Sequence, residues 1–275
     1  MKSCIVGKFE SFHRGHQKLI EDARKLAKIV EIFSIWPPPN SDNLLFTEKE
    51  REYLAEKFNV KLNNIKFDEI KNLTPEEFFA FLKTCNCTYL VVGIDWRFGK
   101  GRSGNVETAK ILGKKYGIKV IPVPPVEENG RKISTSWIKE LLKQGSIEKA
   151  NHLLGFKFFT MGVTVKGQGI GKTIGFPTVN VKTEKKLLLP FGVYEVELTY
   201  NKKTFKGIAN FGTRPTFNGE KPILEVHVIG KKLEIKKQAL VKVDFKRFVR
   251  EERRFNSIEE LKKQIKLDVD KILNE

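Results

Sequence analysis

Cys4-Ile5-Val6-Gly7-Lys8-Phe9-Glu10-Ser11-Phe12-His13-Arg14-Gly15-His16 runs from an apolar segment into two histidines. Residues 4–7 are apolar, with Ile5 and Val6 β-branched, and predict a buried strand. Beyond the histidines, Leu19, Ile20, Ala23, Leu26 and Ala27 recur at helical spacing and predict a helix. The histidines therefore fall where a first strand hands over to a first helix. In a parallel α/β sheet, ligands bind at the carboxyl ends of the strands. A helix N-terminus presents free N–H groups and the positive end of the macrodipole, which suits phosphate. Residues i and i+3 share a helix face, so His13 and His16 can act on one anion. Gly15 between them is expected to let a nucleotide approach the backbone closely. Zinc is the alternative, but it needs three or four ligands. The other histidines, His152 and His227, and the three cysteines offer no second ligand spacing.

Strand and helix signals alternate over the first half of the chain. Strands are expected at 30–36, 65–70, 89–92 and 119–123. Thr47-Glu48-Lys49-Glu50 reads as a capping box opening a helix to Phe58. Thr74-Pro75 opens another, with proline at the first helical position. A helix over 106–116 stops at Gly117. Asn129-Gly130 signals a hairpin. The alternation predicts a doubly wound parallel sheet. The strand at 89–92 empties into Gly93-Ile94-Asp95-Trp96-Arg97-Phe98-Gly99-Lys100-Gly101-Arg102-Ser103-Gly104, glycine-rich and basic enough for a nucleotide edge and its phosphates, or an ordinary loop. Ser134, Thr135 and Ser136 precede an apolar-periodic run. They cap a helix, and capping and phosphate binding use the same N–H groups.

After a short helix within 145–155, helical periods give way to strands at 158–165, 192–200, 203–209, 223–228 and 240–248. Turn signals stand at Asn201 and Asn218-Gly219, and the pattern predicts a barrel or sandwich. Ser257 and Glu260 cap a last helix. Lys166-Gly167-Gln168-Gly169-Ile170-Gly171-Lys172-Thr173 is not a P-loop, because Lys166 stands where that motif needs glycine. It remains a candidate phosphate-cradling loop. In Phe176-Pro177-Thr178-Val179-Asn180, a hydroxyl and an amide oxygen share one strand face. Such hard donors suit magnesium, which keeps phosphate oxygens and water as its other ligands. Glu225 lies inside the apolar strand Leu224-Glu225-Val226-His227, where alternation alone would turn it to solvent.

The chain of 275 residues is long enough for two domains, and its 40% apolar content supports packed cores. Three cysteines cannot all pair, and a reducing, cytoplasmic compartment is the default. No apolar run approaches the roughly 20 residues of a membrane helix, and the start shows no signal-peptide pattern. A net charge of +18 favours anionic partners. The basic residues are scattered among acids, which points to small anions over nucleic acid.

Gly7-x-Phe9-x-x-x-His13-x-Gly15-His16 resembles the HxGH signature of the nucleotidyltransferase α/β superfamily. Residues 91–104 and 133–139 are similar to the VVGxDFRFGxxRxG and ISSTxIR segments of the prokaryotic bifunctional riboflavin kinase/FMN adenylyltransferase (FAD synthetase) family. The segment Phe176-Pro177-Thr178-Val179-Asn180 closely resembles its flavokinase signature Gx4GxxxGFPTAN. This chain departs from the pattern in several places. Glu10-Ser11 replaces Asp-Gly, Trp96 replaces Phe, and Lys139 and Lys172 replace Arg. Val179 replaces Ala, and the last Ser and Thr of ISST are swapped at Thr135-Ser136.

The resemblance implies an N-terminal nucleotidyltransferase domain over 1–144, a bridge over 145–157, and a C-terminal flavokinase β-barrel with a terminal helix over 158–275. It implies riboflavin phosphorylation to FMN, then adenylylation of FMN to FAD and pyrophosphate, with ATP as the donor and Mg²⁺ as the cofactor. In the first domain it implies catalysis by His13 and His16. ATP would be bound by Gly7, Phe9, Gly15, Asp95, Arg97, Lys132, Ser134, Thr135, Ser136 and Lys139. Phe98, Arg250 and Glu252 would bind flavin. In the barrel, Gly167, Gly169, Gly171, Lys172, Gly175, Thr178 and Asn180 would hold the nucleotide, with Mg²⁺ on Thr178 and Asn180. Glu225 would be the base. The implied partners are ATP, riboflavin and FMN, without nucleic acid or membrane.

Overall fold

The computed structural model describes residues 1–38, 43–167, 170–216, 219–231 and 233–274, and excludes the side chains of 170, 214–216 and 219–221. The chain divides into two compact units, Met1–Thr135 and Ser136–Glu275.

In the first unit, strands and helices alternate as the sequence predicts. In order they are β1 (Lys2–Gly7), α1 (Arg14–Leu26), β2 (Ile29–Ile35), α2 (Glu48–Lys57), β3 (Lys61–Ile65), α3 (Phe67–Ile70), α4 (Pro75–Thr84), β4 (Tyr89–Gly93), α5 (Val106–Tyr116) and β5 (Lys119–Val123). The strands pair in parallel in the order β3-β2-β1-β4-β5. A hairpin of β6 (Glu127–Glu128) and β7 (Arg131–Lys132) follows. The strand order reverses between β1 and β4, so the crevice of this sheet opens beyond Gly7 and Gly93.

Thr47 and Thr74 close full capping boxes with Glu50 and Glu77. Gly117 ends α5 in the left-handed conformation. The strand expected at 65–70 is corrected: β3 ends at Ile65, and Phe67–Ile70 forms the helical turn α3. Asp68 and Glu69 sit in its first turn, where negative charge favours a helix. The strand itself is the polar run Lys61-Leu62-Asn63-Asn64-Ile65, made a strand by its pairing with β2 rather than by propensity.

Helix α6 (Thr135–Lys143) begins at the division. The second unit continues with α7 (Ile147–Leu154), β8 (Phe159–Val165), α8 (Ile170–Thr173), β9 (Thr178–Thr183), β10 (Gly192–Tyr200), β11 (Lys203–Thr216), β12 (Gly219–Val228), β13 (Leu240–Glu251) and α9 (Ile258–Asn274). Six strands close a barrel in the order β10-β11-β12-β9-β8-β13. β11 and β12 run further than their propensity suggests, because pairs from Gly207↔Val228 to Thr216↔Gly219 carry the ladder through Gly212 and Pro215. Asn218, read as a turn residue, lies outside the described residues. Helix α7 groups with the barrel. Its Asn151 donates to Phe245 O (2.9 Å) and accepts from Phe158 N–H (2.6 Å).

The loop after β1 is held from below by one buried cation. Arg51 on α2 has no solvent exposure. Its Nε donates to Phe9 O (3.0 Å), one terminal nitrogen to Asn64 Oδ1 (3.0 Å), and the other to Ser34 Oγ (2.6 Å). Ser34 in turn donates to Lys8 O (3.0 Å). The guanidinium lies 3.8 Å from the centre of the Trp36 ring. Two successive loop carbonyls are thus fixed, next to Phe9 and Phe12, which both adopt positive φ (28° and 49°). Burial lowers the Arg51 pKa to about 10, so it stays charged at neutral pH. Arg51→Met removes the donors while leaving the acceptors buried. It should cost about 3 kcal/mol, measured by urea unfolding at pH 7. A loss within error of zero would show the clamp to be dispensable.

Candidate active sites

In the first unit, a cavity of about 360 Å³ opens at the crevice between β1 and β4. Gly7, Phe9, His13, Gly15, His16, Asp95, Trp96, Lys132, Ser134 and Thr135 line it. His13 is the N-cap of α1, and its Nδ1 accepts from the His16 N–H (3.3 Å). One helix amide is therefore already engaged by the histidine. The bond also fixes the tautomer: a neutral His13 carries its proton on Nε2. The His13 and His16 rings stack (3.9 Å between centroids), and Phe9 stacks on His16 (4.3 Å). Gly15 serves this stack. A Cβ there would stand 3.0 Å from His13 Cε1, so the absence of a side chain also leaves room for the imidazole.

Burial is the largest cause holding both histidines uncharged. His13 falls to about 4, and His16 lies well below the ordinary imidazole value. Lys132 lowers both further, while His13 and Arg51 add to the effect on His16. Among the described residues, His16 Nδ1 is buried without a hydrogen-bond partner. At the cavity, Lys132 pairs with Asp95, whose carboxyl it holds below the usual range. The hairpin carrying Lys132 is tied to α1 by Arg14–Glu128 (2.9 Å).

In the second unit, a cavity of about 340 Å³ lies between the outer face of the barrel and α9. The register explains its lining. Asn180, Glu225 and Asn210 are direct neighbours across β9, β12 and β11, and Thr178, His227 and Ile208 form the next row. Opposed residues on antiparallel strands share a face. Leu224, Val226 and Val228, the alternate residues of β12, are buried in the barrel. Leu261, Ile265 and Asp268 of α9 roof the cavity. The roof is fastened by Arg250 to Asp268 (2.8 Å) and by Lys206 Nζ to Ile272 O (2.8 Å). A smaller cleft of about 190 Å³ shares Thr178 and is lined by Gly167 and Asn180. Among the described residues, Asn180 Oδ1 is buried without a hydrogen-bond partner, and a side chain at residue 167 would run into its amide.

A riboflavin kinase model matches residues 154–274, and an FAD synthetase model matches residues 2–137. The bifunctional riboflavin kinase/FMN adenylyltransferase of Bacillus subtilis is 33% identical over 96% of this chain and 89% of its own length. The chain belongs to the bifunctional riboflavin kinase/FMN adenylyltransferase family. The Escherichia coli K12 member is 34% identical, with 97% and 91% of the two chains covered. A crystal structure described as a macrolide-efflux protein from Streptococcus pneumoniae superposes with a TM-score of 0.87 at 29% identity, covering 98% of this chain and 93% of that one. No described helix is long and apolar enough to cross a membrane.

The adenylyltransferase-like cavity gathers nine of the residues picked out from the sequence: Gly7, Phe9, Gly15, Asp95, Lys132, Ser134 and Thr135 with the two histidines. Arg97 is exposed and lines a neighbouring cleft with Arg102 and Lys110. Phe98 is only 6% exposed and packs between Phe78, Phe79 and Trp96. It therefore backs Trp96, and the tryptophan is the ring that lines the cavity. Ser136 and Lys139 belong to the second unit.

In the kinase-like cavity stand Gly171, Thr178, Glu225, Arg250 and Glu252, with Gly167 and Asn180 in the adjoining cleft. Gly175 is exposed at φ +89°, Lys172 is exposed, and Gly169 lies outside the described residues. Two residues escaped the sequence reading. His227 Nδ1 lies 2.9 Å from Pro177 O, so it steadies the segment leading into Thr178. Asp268 anchors Arg250. The alternation of β12 places His227 on the same face as Glu225, which was the available signal for it. Asp268 had none, since helix and strand meet only in three dimensions.

The buried histidines make the first unit acid-sensitive. Between pH 6.5 and about 4 the unfolded chain binds a proton that folded His13 refuses, so stability is complete above 6.5 and lost as pH falls. On moving from pH 7 to 4.5, the chain should lose about 2.5 kcal/mol more than His13→Asn, which retains an N-cap. Equal losses in urea melts would place the proton elsewhere.

Proposed function

We propose that the cavity between β1 and β4 adenylylates FMN and that the cavity under α9 phosphorylates riboflavin. As a member of its family, the chain converts riboflavin to FMN and FMN to FAD, using ATP in both steps. One observation carries the assignment of sites. Among the described residues, buried polar atoms without hydrogen-bond partners stand at both places, His16 Nδ1 in the first and Asn180 Oδ1 beside the second. A lone buried polar group costs about 1–3 kcal/mol, a cost that an incoming ligand can relieve.

In the first cavity an FMN phosphate oxygen attacks the α-phosphorus of ATP, the new P–O bond forms in line, and pyrophosphate leaves. No protein nucleophile takes part, so the residues act by position and electrostatics. His13 and His16 are neutral donors until the triphosphate arrives. Its charge then raises their pKa and draws protons onto them. Lys132 supplies the permanent positive charge, and Ser134 and Thr135 supply hydroxyls at the start of α6.

In the second cavity the riboflavin 5′-hydroxyl attacks the γ-phosphorus of ATP, Glu225 takes its proton, and ADP leaves. Thr178 and Asn180 fit Mg²⁺: both are hard oxygen donors on one face of β9, and one is an orphaned buried oxygen. Bound there, Mg²⁺ would neutralise charge on the phosphate oxygens. Cys4, Cys85 and Cys87 are free thiols, which supports a reducing, cytoplasmic setting.

One incubation with riboflavin, ATP and Mg²⁺, followed by separation of the flavins, tests the assignment. His16→Ala should slow FAD formation on the order of 10²–10³-fold while riboflavin phosphorylation persists. Glu225→Gln should stop FMN formation and leave adenylylation of added FMN intact. Loss of both activities in either folded variant would overturn the two-site reading.

A further inference from the structure

We infer that Ser11 is a positioning residue for adenylyl transfer, aligning the Thr135 hydroxyl for the ATP phosphates. The inference rests on the assignment of ATP to the cavity between β1 and β4. Ser11 and Thr135 are separate departures from the family pattern, far apart in sequence, and the structure brings them together. Ser11 Oγ lies 2.8 Å from Thr135 Oγ1. Ser11 is fully buried, while Thr135 is half-buried and lines the cavity.

Proton bookkeeping gives the pair a direction. Each hydroxyl has one proton and two lone pairs. If Ser11 donates to Thr135 Oγ1, the Thr135 proton remains for a phosphate oxygen, and the pair of bonds is strengthened by alignment. Two features keep Ser11 rigid. It is flanked by Phe9 and Phe12, both at positive φ, and Phe9 O is gripped by Arg51. Thr135 is β-branched in the first turn of α6, which restricts its χ1. The lost glycine and the reordered hydroxyls thus compensate each other. A serine that would crowd an ordinary turn here supplies the orienting donor.

The test is steady-state FMN adenylylation as a function of ATP, with riboflavin phosphorylation by the same preparation as the internal control. Ser11→Ala should raise KM for ATP about five-fold, the worth of one neutral hydrogen bond, with kcat nearly unchanged because the contact serves ground and transition state alike. The kinase KM for ATP should not move. Ser11→Gly should behave the same and guards against misfolding of the alanine variant. In a Thr135→Val background, Ser11→Ala should add nothing, whereas in a Thr135→Ser background the rise should return. If Thr135→Val raises KM but neither Ser11 variant does, or if their effects multiply independently, Ser11 has no such role. If Thr135→Val itself leaves KM for ATP unchanged, the assignment of the cavity fails, and the inference with it.

Discussion

A single buried guanidinium sets the geometry of the adenylyltransferase-like half. Placing Arg51 wholly out of water has a large desolvation cost, and three hydrogen bonds, to a carbonyl, an amide oxygen and a hydroxyl, and an aromatic face offset it. The same contacts fix the Lys8 and Phe9 carbonyls, with Phe9 at a positive φ that its own preference disfavours. His13 can then cap α1, His16 can stack beneath it, and Ser11 can reach Thr135. None of these positions is set by local propensity alone.

The two cavities solve a common problem by different means. A phosphate site, as each is proposed to be, must hold charge when loaded and remain foldable when empty. In the first unit the histidines are kept neutral by burial, with the permanent charge left to Lys132 at the exposed rim, where water screens it. In the second unit the hard oxygens of Thr178 and Asn180 are neutral from the outset. An unpaired buried charge would be far costlier than an unpaired neutral atom.

Much of this was readable in the chain. The parallel sheet followed from alternation, both capping boxes from Thr47 and Thr74, and the crevice from the place of the histidines at a strand-to-helix handover. The missed parts share a physical cause. β3 is a polar edge strand that exists because β2 pairs with it, and β11 outruns its propensity because β12 does the same. Phe98 looked like a ligand contact in a glycine-rich loop, but its ring completes the core beneath Trp96. Gly15 lines the cavity and also leaves room for the His13 ring. His227 and Asp268 acquire their roles from neighbours far along the chain. Local sequence shows which residues can bond, but not which distant partner takes the bond.

Strand β12 writes two specifications on alternate residues. Leu224, Val226 and Val228 face the closed barrel and answer only to volume and shape. Glu225 and His227 face the roofed cavity and answer to whatever it holds. The inner set can drift among aliphatics of similar size while the outer set stays fixed, and, if the cavity takes flavin as proposed, the outer set can be recut for a different analogue without touching the packing that keeps the barrel closed. Substrate range and thermal endurance in this half of the molecule are therefore separately adjustable.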